Sequence, residues 1–283
     1  MLKADKYHNE ILERILSTGF MDINPRPRYA DGTPAHTKSI NHVSLTYDLS
    51  KGEFPMITLR PIAIKKAIGE ILWIYQDQST DLNLLKDKYG ITWWDSWDIG
   101  NRTIGSVYGA TVREYDLMNK VLDGLKENPD SRYHIINLWQ YAEFEKKYGL
   151  KPCAFMTMFN VVHKKNGDYL DMVLVQRSSD FIVSGTINQM QYVALQMMVA
   201  RHCGLKLGQF TWVGVNVQIY DRHVEQAREM ITRSSIANCS PRLVLNPNKT
   251  DFYSFTVDDF SMEDYPLNKI KEQNPQLQFE IAI

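Results

Sequence analysis

Apolar residues along this chain fall into two rhythms, one helical and one of period two. Tyr7, Ile11, Leu12, Ile15 and Leu16 share a helical stripe over 6–17 that stops near Gly19. The strongest helical pattern covers 62–76, with Ile64, Ala67, Ile68, Ile71, Leu72 and Tyr75 on the stripe and Glu70 at its edge. Further helices are predicted from a cap at Ser79 or Thr80 through Lys88, over 117–125 after Asp116, and over 188–203 before Gly204. Asp221 is placed to cap a last one carrying His223, Val224 and Ala227. Alternation predicts strands over 40–49, 131–139, 153–161, 170–176, 210–220 and 241–245, with a short extended piece at 55–59. The turn Lys165-Asn166-Gly167 folds two of these into a hairpin. No repeat, low-complexity run or linker interrupts the pattern, so one domain over 1–283 is expected.

Composition narrows the class. The 283 residues are 44% hydrophobic and 23% charged, with a formal net charge of −1. A near-neutral chain has no overall basic field for nucleic acid or an anionic membrane, so any anion site is a local cluster. No apolar run approaches a membrane span. The charged, amphipathic first sixteen residues do not read as a signal peptide. Cys153, Cys203 and Cys239 form no C-x-x-C and no paired framework, which fits a reducing cytoplasm.

The chemistry concentrates in 151–192. Cys153 opens one strand of the hairpin, and the return strand ends at Arg177-Ser178-Ser179-Asp180. A guanidinium beside a thiol favours the nucleophilic thiolate, and its planar donor fork suits phosphate. Taken as a bare pair, a buried structural cysteine and a solvated arginine explain these residues more simply. Their surroundings shift that balance: Pro152-Cys153, Gln176-Arg177-Ser178-Ser179-Asp180, Asn188 and Tyr192 stand in fixed order.

That spelling resembles the thymidylate synthase family, and the resemblance extends along nearly the whole chain. Gly69-Glu70-Ile71-Leu72-Trp73 resembles the family's glutamate helix, Trp94-Asp95-Ser96-Trp97 its folate-facing segment, and Gly105-Ser106-Val107-Tyr108-Gly109 the segment whose tyrosine lies near the thiol. The end, Phe279 to Ile283, is similar to the apolar tail that folds over bound folate. The resemblance implies a mixed α/β fold on a large twisted sheet flanked by helices, with sheets stacked back to back in a homodimer. It implies reductive methylation of dUMP to dTMP with methylene-tetrahydrofolate as co-substrate and no metal, the branch being a divergent bacterial- or phage-type one.

By the same resemblance, Cys153 attacks ring carbon 6, and Glu70 and Tyr108 organise proton transfer. Arg28, Arg177, Ser178 and a partner's Arg132 bind phosphate; spacing to Asp31-Gly32-Thr33 favours Arg28 over Arg26. Asn188 reads the pyrimidine edge, while Gln218 and Tyr220 face the sugar. Trp94, Asp180 and Ile283 meet the folate. The departures are Ala154 for a usual His, Tyr133 for a second arginine, Asn216 and Gln218 for an Asp and a His, and Ser184-Gly185-Thr186-Ile187 for G-x-P-F. Rival readings are a folate-dependent pyrimidine hydroxymethylase, which for cytosine wants an acid in place of Asn188, and an impaired paralogue binding nucleotide or RNA. A zinc deaminase read from His223-Val224-Glu225 fails for want of a C-x-x-C.

Overall fold

The structure, a computed structural model, describes residues 1–144 and 149–283. In chain order its elements are α1 (Lys3–Thr18), β1 (Phe20–Met21), β2 (Thr37–Asp48), α2 (Ile64–Tyr75), α3 (Leu82–Tyr89), α4 (Gly109–Glu114), α5 (Leu117–Glu127), β3 (Ile135–Asn137) and α6 (Tyr141–Phe144). They continue with β4 (Ala154–Lys164), β5 (Gly167–Asp180), α7 (Thr186–His202), β6 (Lys206–Tyr220), α8 (Val224–Thr232), β7 (Arg242–Leu245), β8 (Phe260–Glu263) and α9 (Leu267–Gln273).

Among the described residues, six strands form one mixed sheet in the order β1-β2-β6-β5-β4-β3, and β7 pairs with β8 apart from it. Only β5 and β6 run parallel in the large sheet. A parallel pair needs a crossover, and α7 supplies it. That helix is buried all round, from Gln189 to Ala200, because it lies between the sheet and α2. Met172, Leu174, Phe210 and Trp212 fill the sheet face beneath it. The β4–β5 hairpin turns at Lys165-Asn166, and Gly167 closes it at φ 124°, where a Cβ would be strained. The expected α/β architecture is present.

Several local expectations are corrected by tertiary contacts. Residues 55–59 are largely buried but join no ladder; Asp5 satisfies the Thr58 N–H and hydroxyl, each at 2.7 Å. Asp81, not Ser79 or Thr80, caps α3 by accepting from the Asn83 N–H at 2.8 Å. The strand expected over 131–139 shrinks to β3, because the His134 ring turns inward to the Asn128 carbonyl and leaves 129–134 as a loop. Asp221 does not cap α8; its carboxylate takes the Tyr29 hydroxyl and the Arg222 N–H. Arg177 to Asp180 belong to β5 itself, since Ser178, Ser179 and Asp180 pair with Asn216, Val217 and Gln218.

Candidate active site

Cys153 sits half-buried just before β4, where a register shift between Ala154 and Met156 breaks the alternation. Its backbone N–H donates to the Tyr108 hydroxyl oxygen at 2.9 Å, and its carbonyl accepts from the Arg177 N–H at 2.8 Å. The Arg177 side chain folds over this turn: Nε donates to the Pro152 carbonyl at 2.9 Å and Nη2 to the Lys151 carbonyl at 2.7 Å. The same Nη2 lies 3.6 Å from Cys153 Sγ, and the guanidinium faces the Trp139 ring at 5.5 Å. Burial pushes the Cys153 thiol up, and the charges of Arg177 and Arg26 pull it only part of the way back. Arg177 thus favours the thiolate, as expected of a neighbouring guanidinium, against a larger opposing effect of desolvation.

Tyr108 is buried beside Trp94 (ring centroids 5.3 Å apart) and is held at φ 49°, a backbone state costing about 1–3 kcal/mol for a residue with a side chain. Glu70, on α2, is buried and accepts a short hydrogen bond from the Trp93 indole. Burial raises its pKa, partly offset by Trp94, Trp93 and Gln191 in that order.

Asn188 lies in the first turn of α7, inside a directed chain of amides. The Trp212 indole donates to Gln176 Oε1 at 2.9 Å, and Gln176 Nε2 donates to Asn188 Oδ1 at 3.0 Å. Asn188 Nδ2 donates to Gln191 Oε1 at 3.1 Å, and Gln191 Nε2 donates to the Ala67 carbonyl at 3.2 Å. An indole can only donate and a carbonyl can only accept, so both ends fix the same orientation for Asn188. One lone pair on its oxygen and one proton on its nitrogen are left over.

The carboxyl ends of the parallel strands bring Ser178, Asp180, Gln218 and Tyr220 to the same side, with Asp180 in register with Gln218. Burial pushes the Asp180 carboxyl up to about 7, against the Val183 N–H and the Arg60 charge. Asp180 Oδ1 is buried with no partner among the described residues. Tyr220 is raised to about 12, again by burial first. Arg28 donates into its own loop, to the Gly32 carbonyl at 3.2 Å, whereas the Arg26 charge is felt at both Cys153 and Tyr220. Trp94 packs among Trp73, Trp97 and Tyr108 and is 8% exposed. Arg132 stands apart, exposed in the loop before β3. Ile283 is tied to the arginine loop through paired backbone bonds with Arg28, at 2.8 and 3.0 Å.

Trp93, Gln191 and Trp212 were not singled out from sequence as site-supporting residues. Gln191 carried a usable signal: three positions past Asn188 on a helix, it shares that face.

The family model described as thymidylate synthase matches residues 5–283. The chain belongs to the thymidylate synthase family. Thymidylate synthase of Lactococcus lactis subsp. lactis (strain IL1403) is 49% identical over 285 residues, and that of Streptococcus pneumoniae (strain 70585) 50% identical over 285 residues; each match covers all of both chains. The solved thermostable thymidylate synthase A from Bacillus subtilis superposes with a TM-score of 0.88 at 33% identity, covering 99% of each chain. A thymidylate synthase is a methyltransferase: it converts dUMP to dTMP by reductive methylation, with methylene-tetrahydrofolate as co-substrate and no metal. Among the described residues no group of three or more His, Cys, Asp or Glu side chains could hold a metal ion, and no helix is long and apolar enough to cross a membrane.

Proposed function

We propose that Cys153 is the nucleophile of this thymidylate synthase, adding through sulfur to ring carbon 6 of dUMP and so raising electron density at carbon 5. The observation that carries the assignment is Arg177 Nη2 at 3.6 Å from Cys153 Sγ, with the guanidinium already anchored on two carbonyls of the cysteine turn. Substrate phosphate beside Arg177 and Arg26 is held by charge-assisted bonds, with Ser178 adding a hydroxyl donor. Arg26, not Arg28, is assigned to that duty because its charge reaches Cys153. Gln218 and Tyr220 face the sugar. Asn188 presents its free lone pair to the ring N–H and its free N–H to the neighbouring carbonyl, which suits uracil. Glu70 and Tyr108 organise the proton transfers.

Methylene-tetrahydrofolate, when bound, supplies the one-carbon unit and the hydride. The unpartnered Asp180 Oδ1 fits a group bearing ring N–H donors, and the tail ending at Ile283, with Trp94 behind the thiol, would enclose it and exclude water. A hydroxymethylase would need water admitted at the point where this tail closes.

The working unit is a homodimer. On the sheet face away from α7, Met158, Val173, Thr211 and Thr46 form one cross-strand row, and Met156, Val175, Val213 and Ser44 the next. These residues are all partly exposed or exposed, so a second copy stacked on this face would bury a largely apolar surface. Arg132 and its neighbour Tyr133, 89% exposed, would then reach the partner's phosphate site. The chain acts as one catalytic unit, in the cytoplasm, where its three free thiols suit a reducing compartment.

Incubation with a 5-fluorinated dUMP analogue and methylene-tetrahydrofolate tests the assignment. A stable covalent ternary adduct is expected, and peptide mapping places it on Cys153. An adduct elsewhere, or none in an active preparation, removes Cys153 from the role.

A smaller change probes recognition. Asn188→Asp is expected to shift the ratio of kcat/KM for dUMP over dCMP toward dCMP by roughly 10–100-fold, since each mismatched buried polar group costs about 1–3 kcal/mol. An unchanged ratio takes Asn188 out of pyrimidine reading.

A further inference from the structure

Arg222, in the turn between β6 and α8, joins two segments that have little other structure. Its Nη2 donates to Asp31 Oδ2 at 2.7 Å and to Thr33 Oγ1 at 2.8 Å, both in the arginine loop. Its Nη1 donates to both oxygens of Glu280 in the tail, at 3.0 and 2.8 Å. The guanidinium carbon lies over Tyr29, 3.9 Å from the ring centroid, and the Tyr29 hydroxyl bonds to Asp221. Beneath this, Ala282 is buried with Tyr29, Ala35 and Tyr220, and residues 28 and 283 exchange backbone bonds.

An isolated ion pair this exposed contributes little. Here one rigid fork makes four charge-assisted bonds to two segments and lies over an aromatic ring, a set lysine cannot reproduce. Neither segment has a sheet or helix of its own: the loop has a single bridge between Arg28 and Pro34, and the tail past Asn274 has none. Besides the backbone bonds between residues 28 and 283 and the packing of Tyr220 with Ala282, the Arg222 side chain holds both segments by hydrogen bonds.

We infer that Arg222 is a positioning residue that fastens the loop 25–34 and the tail 279–283 into one unit, so that phosphate arriving at the loop also secures the tail. The inference rests on the reading of Arg26 as a phosphate ligand and of the tail as a folate cover. It predicts that an anion too small to touch the tail nevertheless protects it.

The test follows release of C-terminal residues by carboxypeptidase from intact wild-type protein, Arg222→Ala, Arg222→Lys and Arg26→Ala, with and without inorganic phosphate. In the wild type, phosphate is expected to slow release about tenfold, the scale of a bidentate charge-assisted network. Arg222→Ala should release faster without ligand and lose the phosphate effect, and its KM for methylene-tetrahydrofolate should rise about tenfold with kcat within about twofold. Arg222→Lys, keeping charge without the fork, should fall between. Wild-type protection that phosphate leaves unchanged, or Arg222→Ala that keeps the full phosphate effect, overturns the inference. If Arg26→Ala keeps the phosphate effect while Arg222→Ala loses it, the phosphate assignment of Arg26 fails and the coupling through Arg222 stands.

Discussion

Replacing Cys153 by alanine is expected to lower kcat by on the order of 10⁴-fold or more, the scale seen when a covalent nucleophile is removed. The fold should survive, because the neighbouring contacts use other atoms. The Cys153 N–H still meets Tyr108, its carbonyl still takes the Arg177 N–H, and the guanidinium keeps the Pro152 and Lys151 carbonyls. Melting temperature should stay within about 4 °C, the shift that ~1 kcal/mol produces in a chain of this size. Affinity for dUMP should change little, since phosphate and ring are held elsewhere. Cys203→Ala is the contrast: that thiol, raised to about 11 by burial, points at the Leu122 carbonyl, and its loss should leave turnover near wild type. A Cys153→Ala protein that turns over, checked by the absorbance of dihydrofolate, would move the nucleophile to another residue.

The second large effect is a recovery of activity. Cys153→Ala and Arg132→Glu are each expected to be inactive, the latter because a carboxylate would repel phosphate in the partner's site. In a mixed dimer one site carries both defects. The other takes Cys153 from the Arg132→Glu chain and Arg132 from the Cys153→Ala chain, so it is whole. Random exchange in an equal mixture makes half the dimers mixed, so about a quarter of all sites should work. Subunit exchange is verified separately with differently tagged chains. Exchange without recovery would mean that Arg132 serves its own subunit or no site at all. With Tyr133 where a second arginine is usual, Arg132 should carry this duty alone, which enlarges the expected contrast.

Much of this architecture was legible from pattern. The stripes of α1 and α2, the hairpin at Gly167 and the span of α7 follow from spacing, because each buries one face or one run of apolar side chains. Of the motif residues, Cys153 and Arg177 lie against each other, and Gln176 bonds to Asn188. What escaped was decided by contacts between distant segments. Asp5, far upstream, satisfies Thr58, so the extended piece at 55–59 joins no ladder. His134 turns into the core and shortens β3. Arg28 bends onto the Gly32 carbonyl, a contact that no local count reveals. Trp93 looked like one indole of a cluster, yet it donates to Glu70. The strand β8 gave no usable alternation in four residues, and only its pairing with β7 defines it.

The position of β2 in the sheet bears on how the chain reaches this state. Thr37 pairs with Tyr220 and Asp48 with Gln209, so a strand near the start is completed only by one far downstream. Such non-local closure carries a large loop entropy before any ladder bond repays it, and it slows folding relative to local hairpins. The β4–β5 hairpin can form early; β2 cannot. During synthesis β2 remains an open edge, apolar on one face, until β6 emerges. The loop between β1 and β2, bonded to residue 283, is assembled later still. The loop and the tail therefore meet at the end of folding, and partly folded chains should have a core before they have this closure.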